Sequence, residues 1–535
     1  GSWSTAIAAR LCSRPTKRMK EIAREAGVRP AWGPRHCVVY EISPVGALVA
    51  QVMSTPPDPN AFREAAEQLL SEAVSTDGWM YGAKDPDGNP GTIRHVIWSE
   101  VLRTSCCQRQ VTFFDASVQR APLTLVDEFS CPKCHRALKV SECERALQTV
   151  VDPLTGKKTR QRKRKPAWIY GQTDGWNWSR PATQSDSRLV RRVESVSVSS
   201  SAPRGEIFWG DLYRSGYHAG MSHFTHLYTS RNLRVFAALW DRLGDFDPSL
   251  RGALKLLLLS YNASHSTLLT RVVVKNGQED FVVSGAQSGV LYVSGLPVEK
   301  NIFAGIRRKI KTFADAFSLL WGCEGAVEVV NGSSTRMNLA EDSVDYVFTD
   351  PPFGDFIPYA EVNQVNEAWL RQFTNRDDEV IISPAQGKST SDYERLMRSV
   401  FAEVARVLKP GSPLTVVFHA SKPAVWEALG SSLNANGFGV VKTSVLNKVQ
   451  VSFKQVVHEG GTRGDAVFLL ESHPQPSKKG YPQITPDSIV RTAKAEKDEL
   501  TPKRLYSRYV AACVEQGQQV GYTARDFYAV VGSPE

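Results

Sequence analysis

No apolar run in these 535 residues approaches the ~20 that a membrane span needs; Leu256-Leu257-Leu258-Leu259 is far too short. The N-terminus lacks the basic, apolar and small-residue regions of a secretory signal, so cytoplasm is the expected compartment, with no membrane partner. A disulfide framework is lacking too. Nine cysteines cannot all pair, and five crowd between Cys106 and Cys143 while the others lie singly. That distribution reads as a metal site in a reducing compartment. Acid is the scarcer charge: 55 Asp plus Glu against 65 Lys plus Arg leaves a surplus of 10, compatible with a polyanionic partner. There is no repeat of fixed period. What is present is ordinary globular chain, 42% hydrophobic and 22% charged, too long for a single core.

Gly1-Ser2-Trp3-Ser4-Thr5-Ala6 reads as a glycine turn entering a helix. His36-Cys37-Val38-Val39-Tyr40-Glu41 reads as a short buried strand ending on an acid. Ala61–Ala73 has amphipathic helical spacing. From Gly82 short β-like runs alternate with turn residues, Lys157–Lys165 is strongly basic, and Ser185–Ser201 has the composition of a linker. Helical spacing returns over Ser230–Leu243, Ser249–Tyr261 and Val298–Leu320. Strands at Ala326–Val330, Val344–Thr349 and Leu414–His419 then alternate with helices at Asp392–Leu408 and Ala424–Ala435. That rhythm predicts a parallel α/β sheet covered on both faces, built from residues 1–60 and 320–475. Residues 61–319 form an insertion in it, and 476–535 a C-terminal helical extension.

The sharpest motif is Asp350-Pro351-Pro352-Phe353-Gly354 directly after the predicted strand Val344–Thr349. In open α/β sheets reactive groups gather at the carboxyl ends of strands. Two prolines fix the backbone and remove two amide donors, which leaves carbonyl oxygens to point into a site. An exocyclic amine has two N–H bonds; the Asp350 carboxylate and the Pro351 carbonyl accept both and aim the nitrogen lone pair at a methyl donor. Phe353 offers an aromatic face to the base and to the cation formed at transfer. The other reading is a plain proline turn after a strand.

Thr349-Asp350-Pro351-Pro352-Phe353-Gly354-Asp355, Tyr359-Ala360-Glu361-Val362-Asn363, Glu367-Ala368-Trp369-Leu370, Val407-Leu408-Lys409-Pro410-Gly411, Phe418-His419, Ser452-Phe453-Lys454-Gln455, Gly464-Asp465 and Thr501-Pro502-Lys503-Arg504-Leu505-Tyr506 together resemble bacterial N4/N6 amino-methyltransferases of DNA, in a subgroup with an internal cysteine module. The resemblance implies a doubly wound, Rossmann-like methyltransferase sheet with a large inserted target-recognition region, zinc-ribbon-like and helical. It implies S-adenosylmethionine as cofactor and double-stranded DNA as partner, with the target base flipped out of the helix. Asp350, Pro351, Pro352 and Phe353 would be catalytic. Gly1, Ser2 and Thr5 match the end of the family's glycine loop, Glu41 the acid that holds the ribose hydroxyls, and Ser333 a turn that meets the adenine ring, with Asp350 also at the cofactor. Trp3 stands where the family carries a small glycine, and the strand expected ahead of the loop would come from a preceding segment or a partner chain. Adenine N6 is favoured over cytosine N4 because the motif begins with Asp, in a restriction-modification or phage-defence setting. The rivals are an RNA guanine-N2 methyltransferase and a non-catalytic DNA-binding subunit of methyltransferase descent.

Cys131-Pro132-Lys133-Cys134 has the spacing of half a zinc knuckle. The family carries a second such pair upstream, where this chain has adjacent Cys106 and Cys107. Cys106, Cys107, Cys131 and Cys134 are the candidate zinc ligands. Because neighbouring cysteines seldom serve one ion well, Cys143 or His135 is the alternative partner for Cys106 or Cys107, and the other reading is a degenerate ribbon held by packing alone. The basic run Lys157–Lys165 is a solvated loop or a phosphate contact. His218, His223 and His226, interleaved with Tyr213, Tyr217 and Phe224, are spaced irregularly and read as an ordinary loop.

Overall fold

The computed structural model describes residues 2–266, 270–275, 278–285, 291–420, 422–447, 464–472, 483–496, 498, 500–516 and 518–532. The chain divides into two units. One comprises Gly1–Ala50, Glu324–Ala360 and Thr374–Glu535; the other comprises Gln51–Cys323 and Glu361–Phe373.

In the first unit Cys37–Glu41 lies parallel to Val327–Asn331, with Cys37 opposite Val327 and Glu41 opposite Asn331. Val347–Thr349 lies parallel to Leu414–Phe418. That strand pairs antiparallel with Gly464–Ser472, which pairs antiparallel with Phe438–Asn447. Parallel pairing, expected throughout, thus describes two strand pairs and not the last two strands. The strand expected over Val344–Thr349 shortens, and Val344 reaches Leu408 only through an isolated bridge.

Parallel strands need cover on both faces. Ser389 and Asp392 close a capping box that starts the helix Thr390–Val407, and a proline in the first turn starts Pro423–Ala435. Tyr393, Met397 and Phe401 of the first helix meet Phe418 and Phe468 of the sheet in one buried core. The segment expected as a C-terminal extension shares that core. Its helices Pro486–Ala495, Pro502–Glu515 and Ala524–Val531 contribute Ile489, Tyr506, Tyr509 and Phe527. Burying each such side chain stabilises by roughly 1.5–3 kcal/mol, so these helices belong to the fold itself.

The second unit is organised by a strand that turn residues near Gly88 and Pro90 disguise in the sequence. Pro90–Arg103 is 14 residues long and pairs antiparallel with Arg164–Thr173 and with Val298–Lys300. The helix expected over Val298–Leu320 therefore starts later, at Ile302. Asn301 is the reason: its amide donates to Ile93 O at 2.9 Å while its carbonyl oxygen caps Ala304 N at 3.2 Å. The linker expected at Ser185–Ser201 is largely a helix, Gln184–Glu194. Asp186 caps its start and takes both Arg180 nitrogens at 2.7 and 3.0 Å. Phe62 of the helix Pro59–Asp77 meets Phe317 of Ile302–Leu320 edge to face at 4.9 Å. Among the described residues no helix is long and apolar enough to cross a membrane.

Candidate active site and cysteine cluster

Asp350 lies directly after the strand Val347–Thr349, exposed at its carboxyl end. The turn that follows is fixed from behind. Pro352 gives its carbonyl to the hydroxyl of fully buried Tyr393 at 2.6 Å. Gly354 has φ +68°, and a Cβ there would stand 2.8 Å from Val425, so only glycine fits without strain. Phe353 packs edge to face on Phe418 at 5.4 Å and on His419 at 5.9 Å. His419 Nδ1 is 3.6 Å from Asp465. Lys422 holds Asp355 at 2.5 Å.

The parallel pair of the same unit brings Glu41 and Asn331 side by side at its carboxyl end. Asn331 donates to the Glu41 and Ile42 carbonyls at 2.8 and 3.2 Å. The Glu41 carboxylate accepts the Ser43 N–H at 3.1 Å. It fits there because Gly46 has no side chain: a Cβ would stand 2.7 Å from the Glu41 carboxyl carbon. Ser333 hydrogen-bonds Thr335 at 2.8 Å within the turn after Asn331. Tyr359 registers both strand ends. Its phenol is raised above the ordinary value first by desolvation, then by the carboxylates of Asp350, Glu41 and Glu379. Buried Glu379 also accepts Ala360 N–H at 2.9 Å and so fixes the backbone beside Tyr359.

Asp350 and Glu41, predicted from separate motifs, both lie at carboxyl ends of strands of this unit. Gly1 lies outside the described residues, as do Ser452–Gln455; Ser2 and Thr5 lie on the helix Ser2–Leu11, without described side chains. Tyr393 and Glu379 escape sequence reasoning because their partners sit 41 and 19 residues away. A strand-end carboxylate such as Glu41 is the chemistry that could hold the ribose hydroxyls of an adenosine cofactor.

In the second unit Cys106, Cys107, Cys131 and Cys134 come together. Their sulfurs stand 3.7 Å (Cys106 to Cys107), 3.6 Å (Cys107 to Cys131) and 3.3 Å (Cys134 to Cys106) apart. Four thiolates around zinc at about 2.3 Å would be about 3.8 Å apart. Cys143 and His135 are not needed: Cys143 is buried with Leu102, Ala116 and Val140. Adjacent cysteines both reach the group because Gln108 and His135 take positive φ, 58° each, closing a tight turn after each pair. Backbone N–H groups of Cys134 and Lys133 bring the Cys131 thiol down to about 6, whereas desolvation and the neighbouring sulfurs push Cys106 up to about 12. The donor set fits one soft cation.

The basic run is neither a loop nor uniformly solvated. It forms the strand Lys158–Arg162, paired with Leu147–Val151, and enters the next strand, Arg164–Thr173. Arg162, at the end of the strand, is buried and meets buried Glu100 at 2.7 Å, whereas Lys158 and Arg160, on the same face, are exposed.

No family model matches this chain, and no curated protein matches it. Among solved structures it is similar to a SAM-dependent methyltransferase from Methanosarcina mazei, at 12% identity over 30% of this chain and 79% of that one, with a TM-score of 0.17. A candidate DNA modification methylase from Thermus thermophilus matches at 17% identity over 31% of this chain and 60% of its own, with a TM-score of 0.16. The cyclase SpnF matches at 12% identity over 31% and 63%, with a TM-score of 0.17. At TM-scores this low the functional reading rests on the residues themselves.

Proposed function

We propose that the chain methylates an exocyclic amine of a base in DNA, adenine N6 before cytosine N4, with S-adenosylmethionine as donor. The observation that carries this reading is the Asp350-Pro351-Pro352-Phe353 turn at a strand end, held from behind by Tyr393.

The cofactor supplies an electrophilic methyl group on a sulfonium. The Asp350 carboxylate and the Pro351 carbonyl accept the two N–H bonds of the flipped amine, and this orients the lone pair. Tyr393 holds the Pro352 carbonyl, so the turn cannot rotate away. On transfer the Asp350 carboxylate and the Phe353 ring would stabilise the positive charge on the amine nitrogen. The proton then leaves the amine toward Asp350. Glu41 would hold the ribose hydroxyls.

The methionine end of the cofactor calls for backbone amides beyond those described. Val38 and Phe348 are exposed on strands that, among the described residues, pair on one side only. An extended segment ahead of Ser2, or from a partner chain, would pair there and bring the glycine loop with it. The four-cysteine cluster would hold a structural zinc ion, and the unit that carries it would recognise the target, in a restriction-modification or phage-defence setting.

Incubating the full chain with S-adenosylmethionine and duplex DNA, followed by nucleoside mass spectrometry, tests the reading. N6-methyladenine is expected. N4-methylcytosine would move the target, 2-methylguanosine formed only on RNA would replace the substrate, and no methylated base even with the preceding segment supplied would favour a non-catalytic DNA-binding subunit.

A further inference from the structure

Residues 208–226 of the second unit, which read as an ordinary loop, carry a group of rings. Trp209 stacks on His218 with centroids 4.3 Å apart and planes 22° apart. Tyr213 stands 6.0 Å from Trp209 and 5.7 Å from His218. Tyr217 stands 4.8 Å from Tyr292. The inner members are pinned. His218 is buried; its Nδ1 accepts the Arg214 N–H at 2.9 Å, so Nε2 carries the proton and donates to the Leu291 carbonyl. Trp209 donates to the Met221 carbonyl. From below, Arg162 donates to Ala219 O at 2.7 Å and Gly216 O at 3.1 Å while Glu100 holds its guanidinium. The backbone on both sides of Tyr217 is thereby fixed by buried groups.

The outer members are not pinned by burial. Tyr213 and Tyr217 remain 39% and 44% exposed. A single exposed ring is unremarkable, but two on a rigid base form a patch, and such patches mark contacts. The exposed charge around them is mostly positive, with Asp211 as the acid of the loop. Arg214 lies between the two tyrosines in sequence, exposed, and donates to the carbonyls of Asp211 and Tyr213. The Arg271 guanidinium lies 5.8 Å from the Tyr292 ring. Exposed Lys158 and Arg160 fall, by strand alternation, on the side of their strand from which Arg162 grips the loop.

We propose that Tyr213 and Tyr217 form a stacking platform for unpaired nucleobases of a nucleic-acid strand, with Arg214, Lys158 and Arg160 on its phosphates. Flat rings rimmed by cations bind bases through their faces, and a base offers its face only when the strand is opened. A paired duplex offers edges and phosphates alone. A protein partner would also favour Tyr and Arg, yet a rim in which Arg214, Lys158 and Arg160 outnumber Asp211 is better matched by a polyanion. The proposal deepens the DNA reading above and rests on it for the identity of the polymer. Its test uses binding without methyl transfer, so the two can fail separately.

The full chain is titrated, without cofactor, into a labelled 20-mer single strand and into the same sequence fully paired. The single strand also carries 2-aminopurine, whose emission reports stacking. Tyr213→Ala and Tyr217→Ala are expected to weaken single-strand binding about tenfold each and to abolish the change in emission, while the phenylalanine variants keep both. Arg160→Ala is expected to lower the salt dependence of binding, which the tyrosine variants leave alone. Circular dichroism of each variant shows whether it is folded. Three results would overturn the platform: alanine variants that bind the single strand as wild type does, equal losses on the duplex, or wild-type chain that binds no single strand while still methylating DNA.

Discussion

At the level of single residues, the candidate site depends on groups that touch the Asp350 turn from behind. The hydroxyl of Tyr393 is buried and satisfied by Pro352. Tyr393→Phe removes the donor and leaves a buried carbonyl unpaired, which costs about 1–3 kcal/mol. We expect a lower urea midpoint with an unchanged slope, and methyl transfer reduced more than DNA affinity; full activity in the phenylalanine variant would show that the turn holds itself. Gly354→Ala meets both a positive φ and Val425, and should destabilise by about 1–3 kcal/mol in the same measurement. Asp350 and Glu41 were legible in the sequence because each ends an apolar run, the position where α/β sheets gather chemistry. Tyr393 and Glu379 were not, because a bond across 41 or 19 residues leaves no local signal.

At the level of elements, sequence periodicity found the Cys37–Glu41 strand and the Thr390–Val407 helix, and it failed where polar atoms decide. Asn301 cut an amphipathic run into strand and helix, the Asp186 cap made a helix of apparent linker, and buried Glu100 drew Arg162 out of a charge run. Cys106 and Cys107 looked too close to share an ion, yet two tight turns bring all four sulfurs within reach. Elemental analysis of protein purified without added metal should find one zinc per chain, and Cys131→Ser should lose it with a lower melting temperature; a metal-free chain of equal stability in chelator would rule the site out. A second element is clamped by charge. Glu403 accepts Met337 N–H at 2.7 Å and pairs with Arg406, which also donates to the Met337 and Leu339 carbonyls. The Arg406 guanidinium foremost, with that N–H, brings the Glu403 carboxyl down from 4.5 to about 2. A depressed folded value gives stability that is present above the unfolded value and lost as pH falls through the folded one. Denaturant titrations should therefore show Glu403→Gln losing less stability than wild type between pH about 4.5 and about 2; parallel curves would contradict the clamp.

At the level of the whole molecule, alternation of strands and helices announced an α/β chain with a large insertion; the chain divides into two units, one of them Gln51–Cys323 with Glu361–Phe373. The boundaries were less legible. Glu361–Phe373 follows the candidate motif closely in sequence but joins the inserted unit, where Glu361 accepts the Gly210 and Leu212 N–H groups and Trp369 meets Tyr228. The one-sided strands carrying Val38 and Phe348 lead to a prediction about the cofactor: calorimetry should find weak S-adenosylmethionine binding by this chain and much tighter binding once an apolar strand and glycine loop are supplied ahead of Ser2 or in trans. Tight binding by the chain as it stands would mean that other elements build the site. The central claim is that Asp350 acts on the amine and not on the phosphates. The direct test compares Asp350→Ala with wild type for methyl transfer to duplex DNA and for DNA affinity at fixed salt. The account predicts a loss of transfer of at least about a hundredfold with affinity unchanged; retained transfer would contradict it.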